Sequence, residues 1–259
     1  MSTTIHPTAL VEPAAQLDEG VEVGPFCYVG AQVRLGRGTR LQHHSTVDGD
    51  THLGADNDVF PYAFVGGKSQ DLKYCGGRTG VRIGDRNVFR EFGTVHASTQ
   101  DGNDTRIGSD NVFLAYHHIA HECEVGNHCI FSNNGTLAGH VVVEDHAIVG
   151  GLSAVHQFCR IGQFAMVGGC TKVVQDVPPF MIIDGNPGEV RAVNKVGLER
   201  AGHRAEDIEL ARTVHKVLYR NGLNRGDALA ELTAHPQAKS WVIQAVLRFA
   251  EQSTRGFAG

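Results

Sequence analysis

Seven of the 15 histidines in this 259-residue chain fall between His117 and His156. Neutral imidazole is a general base near pH 7 and can take the proton of an attacking hydroxyl. Stepping by eighteen residues from His121 gives Gly139 and then Gln157. If one coil takes eighteen residues, Ala120-His121-Glu122, Ala138-Gly139-His140 and His156-Gln157-Phe158 stack at one corner, on rungs about 4.8 Å apart. His118 lies three residues before His121 on the same coil. The pattern gathers His118, His121, His140 and His156 into one patch, with a carboxylate beside them. A backbone N–H near Gly139 can face a developing oxyanion, because glycine lets a substrate approach closely. No serine sits in a nucleophile-elbow setting, and no Cys–His pair stands out. The chemistry that fits is direct attack by a substrate hydroxyl. One surface histidine is ordinarily structural, but a stacked cluster beside two loops is not. Histidines on neighbouring rungs can also bind zinc, which is the alternative.

The coil that must position these residues is written in the sequence as a six-residue repeat. From Ile5 to Val173, 26 of 29 positions in one hexad phase are large and apolar, the exceptions being Asp71, Gly77 and Asp101. Glycine follows the apolar residue eleven times, as at Gly24, Gly54, Gly84, Gly126 and Gly162. Each hexad is expected to give a short strand with one inward aliphatic side chain, with Gly and small polar residues supplying the turn. One hexad cannot bury its own side chain, so the strands must stack as parallel rungs. The class is mainly β, and such coils resemble the left-handed parallel β-helix, three hexads to a turn. Cys27, Cys123, Cys129 and Cys159 all fall four residues after an inward position and read as interior fillers. The phase lapses at 66–82 and 96–106, polar or Gly-rich stretches expected to be insertion loops carrying binding residues.

The period stops near Asp176-Val177-Pro178-Pro179, and Pro187-Gly188 marks a linker. Residues 1–188 are assigned to the β-helix and 189–259 to a helical C-terminal domain that caps the last coil. The pattern turns helical from about Arg191. Arg204 to Asn221 reads as one amphipathic helix burying Ile208, Ala211, Val214 and Leu218, ended by Gly222, with two further helices at 225–235 and 237–253. Net charge is −5, with 23 Lys+Arg against 28 Asp+Glu, which is no nucleic-acid signature. No apolar run is long enough to span a membrane. The N-terminus has no signal-peptide pattern, and six cysteines without a CxxC pair point to the reducing cytoplasm.

Gln70-Asp71-Leu72-Lys73-Tyr74, Ile83-Gly84-Asp85-Arg86-Asn87, His118-Ile119-Ala120-His121, Leu137-Ala138-Gly139-His140, Ala154-Val155-His156-Gln157-Phe158 and Gln175-Asp176-Val177-Pro178-Pro179, in this order, resemble the acyl-[acyl carrier protein]–UDP-N-acetylglucosamine O-acyltransferases. The resemblance runs from Ile5 to Ser253-Thr254-Arg255-Gly256. It implies a homotrimer with active sites in clefts between subunits. The reaction it implies is transfer of an (R)-3-hydroxyacyl group from acyl carrier protein to the glucosamine 3-position of UDP-N-acetylglucosamine, the first step of lipid A biosynthesis. No cofactor is implied beyond the carrier protein's phosphopantetheine. By resemblance His121 is the base, Gly139 supplies the oxyanion N–H and Glu122 stands where the family has Asp. Asp71, Lys73, His118, His140, His156 and Gln157 then hold the sugar nucleotide or pantetheine, Asn194 and Arg200 the uridine end, and Gly169 sets acyl-chain length. Further departures from the family are Ala97-Ser98 for Arg-Gly after His96, Val196 for Glu, and Ala201 for a basic residue. Arg212, Lys216 and Arg220 make a basic helical stripe. Such a stripe is ordinarily a solvated face, and here it is also a candidate contact for an acidic carrier protein.

Three rival readings remain. The γ-class carbonic anhydrases share the β-helix and use zinc, but the His spacings here supply no evident third ligand, and no metal is expected. The lipid A pathway N-acyltransferase carries a globular domain ahead of its β-helix, whereas hexads here begin at Ile5. A catalytically silent scaffold would not need stacked histidines.

Overall fold

The structure, a computed structural model, describes residues 2–259. Two-residue strands, each followed by a corner, wind into a left-handed parallel β-helix whose three faces are sheets of eleven, nine and eight strands. In each rung the second strand residue points inward and the first outward; Val125, Phe131 and Leu137, for example, are all buried. Successive coils register at eighteen residues, as Ile119↔Leu137↔Val155. Two coils are longer. Val59 pairs with Phe89, thirty residues on, and Phe89 with Phe113, twenty-four on. The extra lengths are two hexads and one hexad, which is why the apolar phase resumes after each lapse. The surplus leaves the coil as segments 68–79 and 97–103, beside the second sheet.

The turns differ from expectation. Apart from Gly66, glycines that follow the inward residue do not bend the chain; they let adjacent coils touch, since a Cβ on Gly24 would lie 2.8 Å from the Leu41 carbonyl oxygen. The left-handed residue is the third after the inward one, and it is non-glycine at eighteen described positions, among them Tyr62, Phe92, Tyr116, Glu122, His128 and His140. A left-handed L-residue costs about 1–2 kcal/mol. Ring stacking along the corners offsets a cost of that size, about 0.5–1.5 kcal/mol per pair. Tyr62–Phe92–Tyr116 stack with centroids 5.0 Å apart, and His128–His146–Phe164 at 4.7 and 4.5 Å.

Inside, Phe89, Phe113 and Phe131 stack. Beside them runs a buried amide ladder. Asn57 Oδ1 accepts from the backbone and side-chain amides of Asn87, Asn87 Oδ1 from those of Asn111, and Asn111 Oδ1 from Cys129 N–H. Cys27, Cys123, Cys129 and Cys159 are buried as interior fillers, and burial pushes the thiols of Cys123, Cys129 and Cys159 up to about 12.

The strand region runs past Arg191. An antiparallel hairpin, Met181–Gly185 with Gly188–Val193, is added to the end of the first sheet, so the segment read as helical from about Arg191 is still a strand. Helices α1 (Lys195–Arg200), α2 (Ala205–Tyr219), α3 (Arg225–Ala234) and α4 (Trp241–Gln252) follow. Asn194, Asn224 and Ser240 cap α1, α3 and α4 by accepting from the third N–H of the helix. The buried stripe of α2 is Ile208, Leu210, Ala211, Val214 and Val217; Leu218, expected inside, is only half-buried because the packed face is rotated toward Val217. Buried Asp176 accepts from Arg160 N–H, Arg255 N–H and the Ser253 hydroxyl, fastening the C-terminal segment to the last coil.

Candidate active site

Outward positions of the second sheet run Thr94, His118, Thr136, Ala154 and Lys172 along successive coils. His118 Nδ1 is hydrogen-bonded to Thr94 Oγ1 (2.8 Å), and its ring lies 5.3 Å from that of His96. His96 is buried, with Nδ1 2.6 Å from the Lys68 carbonyl oxygen. Burial, then the neighbouring imidazoles of His96 and His121, push His118 down to about 4; burial also lowers His96. Both rings are therefore neutral at physiological pH. His96 was not singled out from the sequence, although it follows directly on Val95 and so stands at the mouth of an insertion loop.

The three stacked triplets occupy the corner that follows this sheet. His121 is 5% exposed. A Cβ on Gly139 would fall 2.3 Å from His121 Cε1, so the imidazole fills the space that glycine leaves. His121 Nδ1 donates to Glu122 Oε2 (2.5 Å), which fixes the tautomer and turns the Nε2 lone pair toward the cleft. Glu122 Oε1 accepts from Thr99 N–H (2.6 Å) and Gln100 N–H (2.8 Å), contacts with the second insertion loop that no sequence signal announced. From the first loop, Asp71 Oδ2 stands 3.8 Å from His121 Nε2, and Lys73 N–H donates to Asp71 Oδ1. On the next coil the His140 ring meets His121 edge-on at 5.2 Å and stacks on Phe158 at 4.7 Å. Burial outweighs the nearby Glu122 carboxylate and lowers His140. His156 and Gln157 are exposed one coil further, and the Lys73 side chain is exposed on its loop. Among the described residues, nothing accepts from the Gly139 N–H.

His121, Glu122 and His140 also bring three donor atoms within 4.8 Å of one another, spacing that can hold a cation. A metal at His121 Nδ1 would have to replace the proton now shared with Glu122.

Asn194 and Arg200 are not part of this cluster. They line a cleft of about 1010 Å³ on a different face, where Ile130, Ile148, Met166 and Ile182 of the first sheet meet α1, His203 and Trp241. Asn194 is buried, its Nδ2 donating to the Phe164 carbonyl and its Oδ1 accepting from Gly197 N–H, so the side chain serves as a cap. Arg200 is exposed at the end of α1. Gly169 is exposed, and a Cβ there would sit 3.5 Å from the Gly151 carbonyl oxygen, leaving room for a side chain. Arg212, Lys216 and Arg220 are exposed along α2, with Arg212 paired to Glu209.

Comparison with known proteins agrees with this geometry. Residues 176–258 match the family model for UDP-N-acetylglucosamine O-acyltransferase, domain 2. The LpxA structure from Acinetobacter baumannii is 39% identical with a TM-score of 0.95, over 98% of this chain and 99% of that one. The UDP-N-acetylglucosamine O-acyltransferase (LpxA) of Moraxella catarrhalis is 38% identical with a TM-score of 0.94, over 98% and 99%. The Arabidopsis UDP-N-acetylglucosamine acyltransferase is 36% identical with a TM-score of 0.87, over 98% of this chain and all of that one.

Proposed function

The chain belongs to the UDP-N-acetylglucosamine O-acyltransferase family and is an acyltransferase, and on that premise we propose that it transfers an (R)-3-hydroxyacyl group from acyl carrier protein to the glucosamine 3-position of UDP-N-acetylglucosamine, with His121 as general base. This is the first step of lipid A biosynthesis. The observation that carries the reading is the His121 imidazole, bound at Nδ1 by Glu122 and open at Nε2. The sugar hydroxyl attacks the thioester carbonyl as its proton passes to Nε2. The carbonyl oxygen becomes an oxyanion facing the Gly139 N–H. Collapse re-forms the carbonyl and breaks the C–S bond, and the pantetheine thiolate takes the proton back from His121. The 3.8 Å between Nε2 and Asp71 leaves the attacking oxygen a place at the base, while Asp71, Lys73, His118, His140, His156 and Gln157 hold the substrates around it. No cofactor enters beyond the pantetheine that arrives with the donor.

The three outer faces differ in chemistry, and this supports a homotrimer. The first sheet presents Val88, Val112, Ile130, Ile148, Met166 and Ile182 in one column. The second presents the site. The third presents Arg34, His52, Arg82, Arg106 and Glu124, a face suited to water. An apolar column with Ile130 41% exposed calls for a covering partner. Rotation about a threefold axis sets the apolar face of one copy against the site face of the next and closes the ring. The cleft holding Asn194 and Arg200 then joins a neighbour's His121 corner, as the uridine end of the site. Gly169 leaves the acyl groove open to longer chains, and the Arg212-Lys216-Arg220 stripe meets the acidic carrier protein. All six cysteines are unpaired and no helix of the described residues is long and apolar enough to cross a membrane; the location proposed for the enzyme is the cytoplasm.

The test is a mass-spectrometric assay with (R)-3-hydroxyacyl carrier proteins of several lengths, offering UDP-N-acetylglucosamine and its 3-amino analogue separately. Acylated sugar nucleotide is the expected product. No product from either acceptor, with the next pathway enzyme drawing product off, would overturn the proposal, and stoichiometric zinc in the purified protein would favour carbonic anhydrase chemistry at the His121-Glu122-His140 trio.

A further inference from the structure

The two insertion loops touch each other as well as the base. Ser69 Oγ and Thr99 Oγ1 are hydrogen-bonded at 2.5 Å. Ser69 Oγ also accepts from Asp71 N–H at 3.2 Å. On the other side, Thr99 N–H donates to Glu122 Oε1 and Glu122 Oε2 accepts from His121 Nδ1. Followed around, the bonds run from His121 Nδ1 through Glu122, Thr99, Ser69 and Asp71, and the Asp71 carboxylate comes back to face His121 Nε2 at 3.8 Å. The ring is completed by the loops' own ties: Lys73 N–H holds Asp71 Oδ1, leaving Oδ2 toward the base, and the buried Ser98 hydroxyl donates to the Asn103 carbonyl across the neck of the second loop.

We infer that the Ser69–Thr99 hydroxyl pair is a latch that positions Asp71 against the Nε2 face of His121, making Ser69 and Thr99 positioning residues for the acceptor sugar. The inference rests on the acyl-transfer reading, and its physical content is geometric. Asp71 sits on a loop of about a dozen residues with no strand pairing of its own, so its reach toward His121 depends on what holds that loop. Two side-chain bonds join the loops: Arg78 N–H donates to Asp101 Oδ1 at the far end of the first loop, and Ser69–Thr99 is the one beside Asp71, on the stretch of the second loop anchored to the carboxylate that orients the base. One nitrogen of the imidazole is thereby hydrogen-bonded to the circuit and the other faces its carboxylate at 3.8 Å. The Glu122 carboxylate spans to Thr99 and Gln100 N–H, and the Ser98 hydroxyl closes the neck of the loop that carries them.

Thr99→Val keeps the shape and removes the hydroxyl, whereas Thr99→Ser keeps the hydroxyl. Displacing a group by about 1 Å at a reacting centre costs on the order of tenfold to a hundredfold in rate. Thr99→Val should therefore lose on the order of tenfold or more in kcat/KM for the sugar nucleotide, with the KM for acyl carrier protein unchanged and thermal stability kept, and Thr99→Ser should restore it. Ser69→Ala should add little to Thr99→Val, since both cut one link. Amide hydrogen exchange over 68–79 and 97–103 should quicken together in Thr99→Val. Full activity and unchanged exchange in Thr99→Val, or no rescue by Thr99→Ser, would overturn the latch. Exchange needs no turnover, so a wild-type protein that fails to transfer acyl groups defeats the parent reading while exchange still decides the latch.

Discussion

Two buried imidazoles each occupy space that a side chain on an adjacent coil would need. A Cβ on Gly93 would lie 1.9 Å from His117 Cε1, and one on Gly139 would lie 2.3 Å from His121 Cε1. The resemblance ends there. His117 is packed against Phe89 and Phe113, with Nδ1 at the Leu114 carbonyl oxygen and a buried Nε2 that has no partner, so it is part of the core. Burial pushes His117 down to about 4 from an ordinary 6.5. The unfolded chain thus binds more protons between these values, and stability that is whole above pH 6.5 is lost as pH falls toward 4. The urea midpoint should drop across that window, and less steeply in His117→Asn; equal slopes would contradict this. His117 and His121 look alike in the sequence. The eighteen-residue arithmetic placed His121 against Gly139 correctly, because that step crosses no insertion. The meeting of Glu122 with Thr99 and Gln100 was illegible, because it depends on how a loop folds back, and nothing periodic records that.

At the scale of the element, the corner and the rung follow different rules. The inward residue of each hexad was legible because burial demands an apolar side chain at every sixth position. The left-handed corner residue was not, since Phe, Tyr, His, Asp and Glu all stand there and the conformation is supported by stacking across coils. For the same reason the start of the helices was read too early. The hairpin strand Gly188–Val193 buries only Val190, with Glu189, Arg191 and Ala192 exposed, and carries no hexad signal, while its pairing with Met181–Gly185 is a tertiary matter. The Asn57–Asn87–Asn111 ladder shows what a rung can require. Replacing Asn87 by alanine leaves the Asn111 backbone N–H without a partner in a sealed interior, while Asn57 Oδ1 keeps the backbone N–H of residue 87 and Asn111 Nδ2 keeps the Gly126 carbonyl. An orphaned buried polar group costs about 1–3 kcal/mol. Asn87→Ala should therefore lose about 1–3 kcal/mol in urea unfolding, and a loss under about 0.5 kcal/mol would mean that water or a neighbour replaces the ladder.

At the scale of the whole molecule, three chemically distinct faces on one prism fit the homotrimer proposed above. Placing a carboxylate on the apolar column tests this without changing any residue of the His121 corner. Ile148→Glu should sediment as a monomer with the wild-type far-ultraviolet spectrum, whereas a wild-type monomer, or an Ile148→Glu trimer, would contradict the arrangement. The face chemistry could have been drawn from the sequence, since the outward residue precedes each inward one, but assigning it needs the coil register across both insertions. The central claim concerns one side chain within that assembly. General base catalysis contributes about 10²–10⁴-fold. The most direct test is the single-turnover rate of acyl transfer from (R)-3-hydroxyacyl carrier protein to UDP-N-acetylglucosamine by wild type and by His121→Ala, each confirmed to have the same assembly state and acceptor affinity. A fall of at least about 10²-fold with binding retained is the predicted result. A His121→Ala rate within a few-fold of wild type would remove His121 from the chemistry and contradict the account.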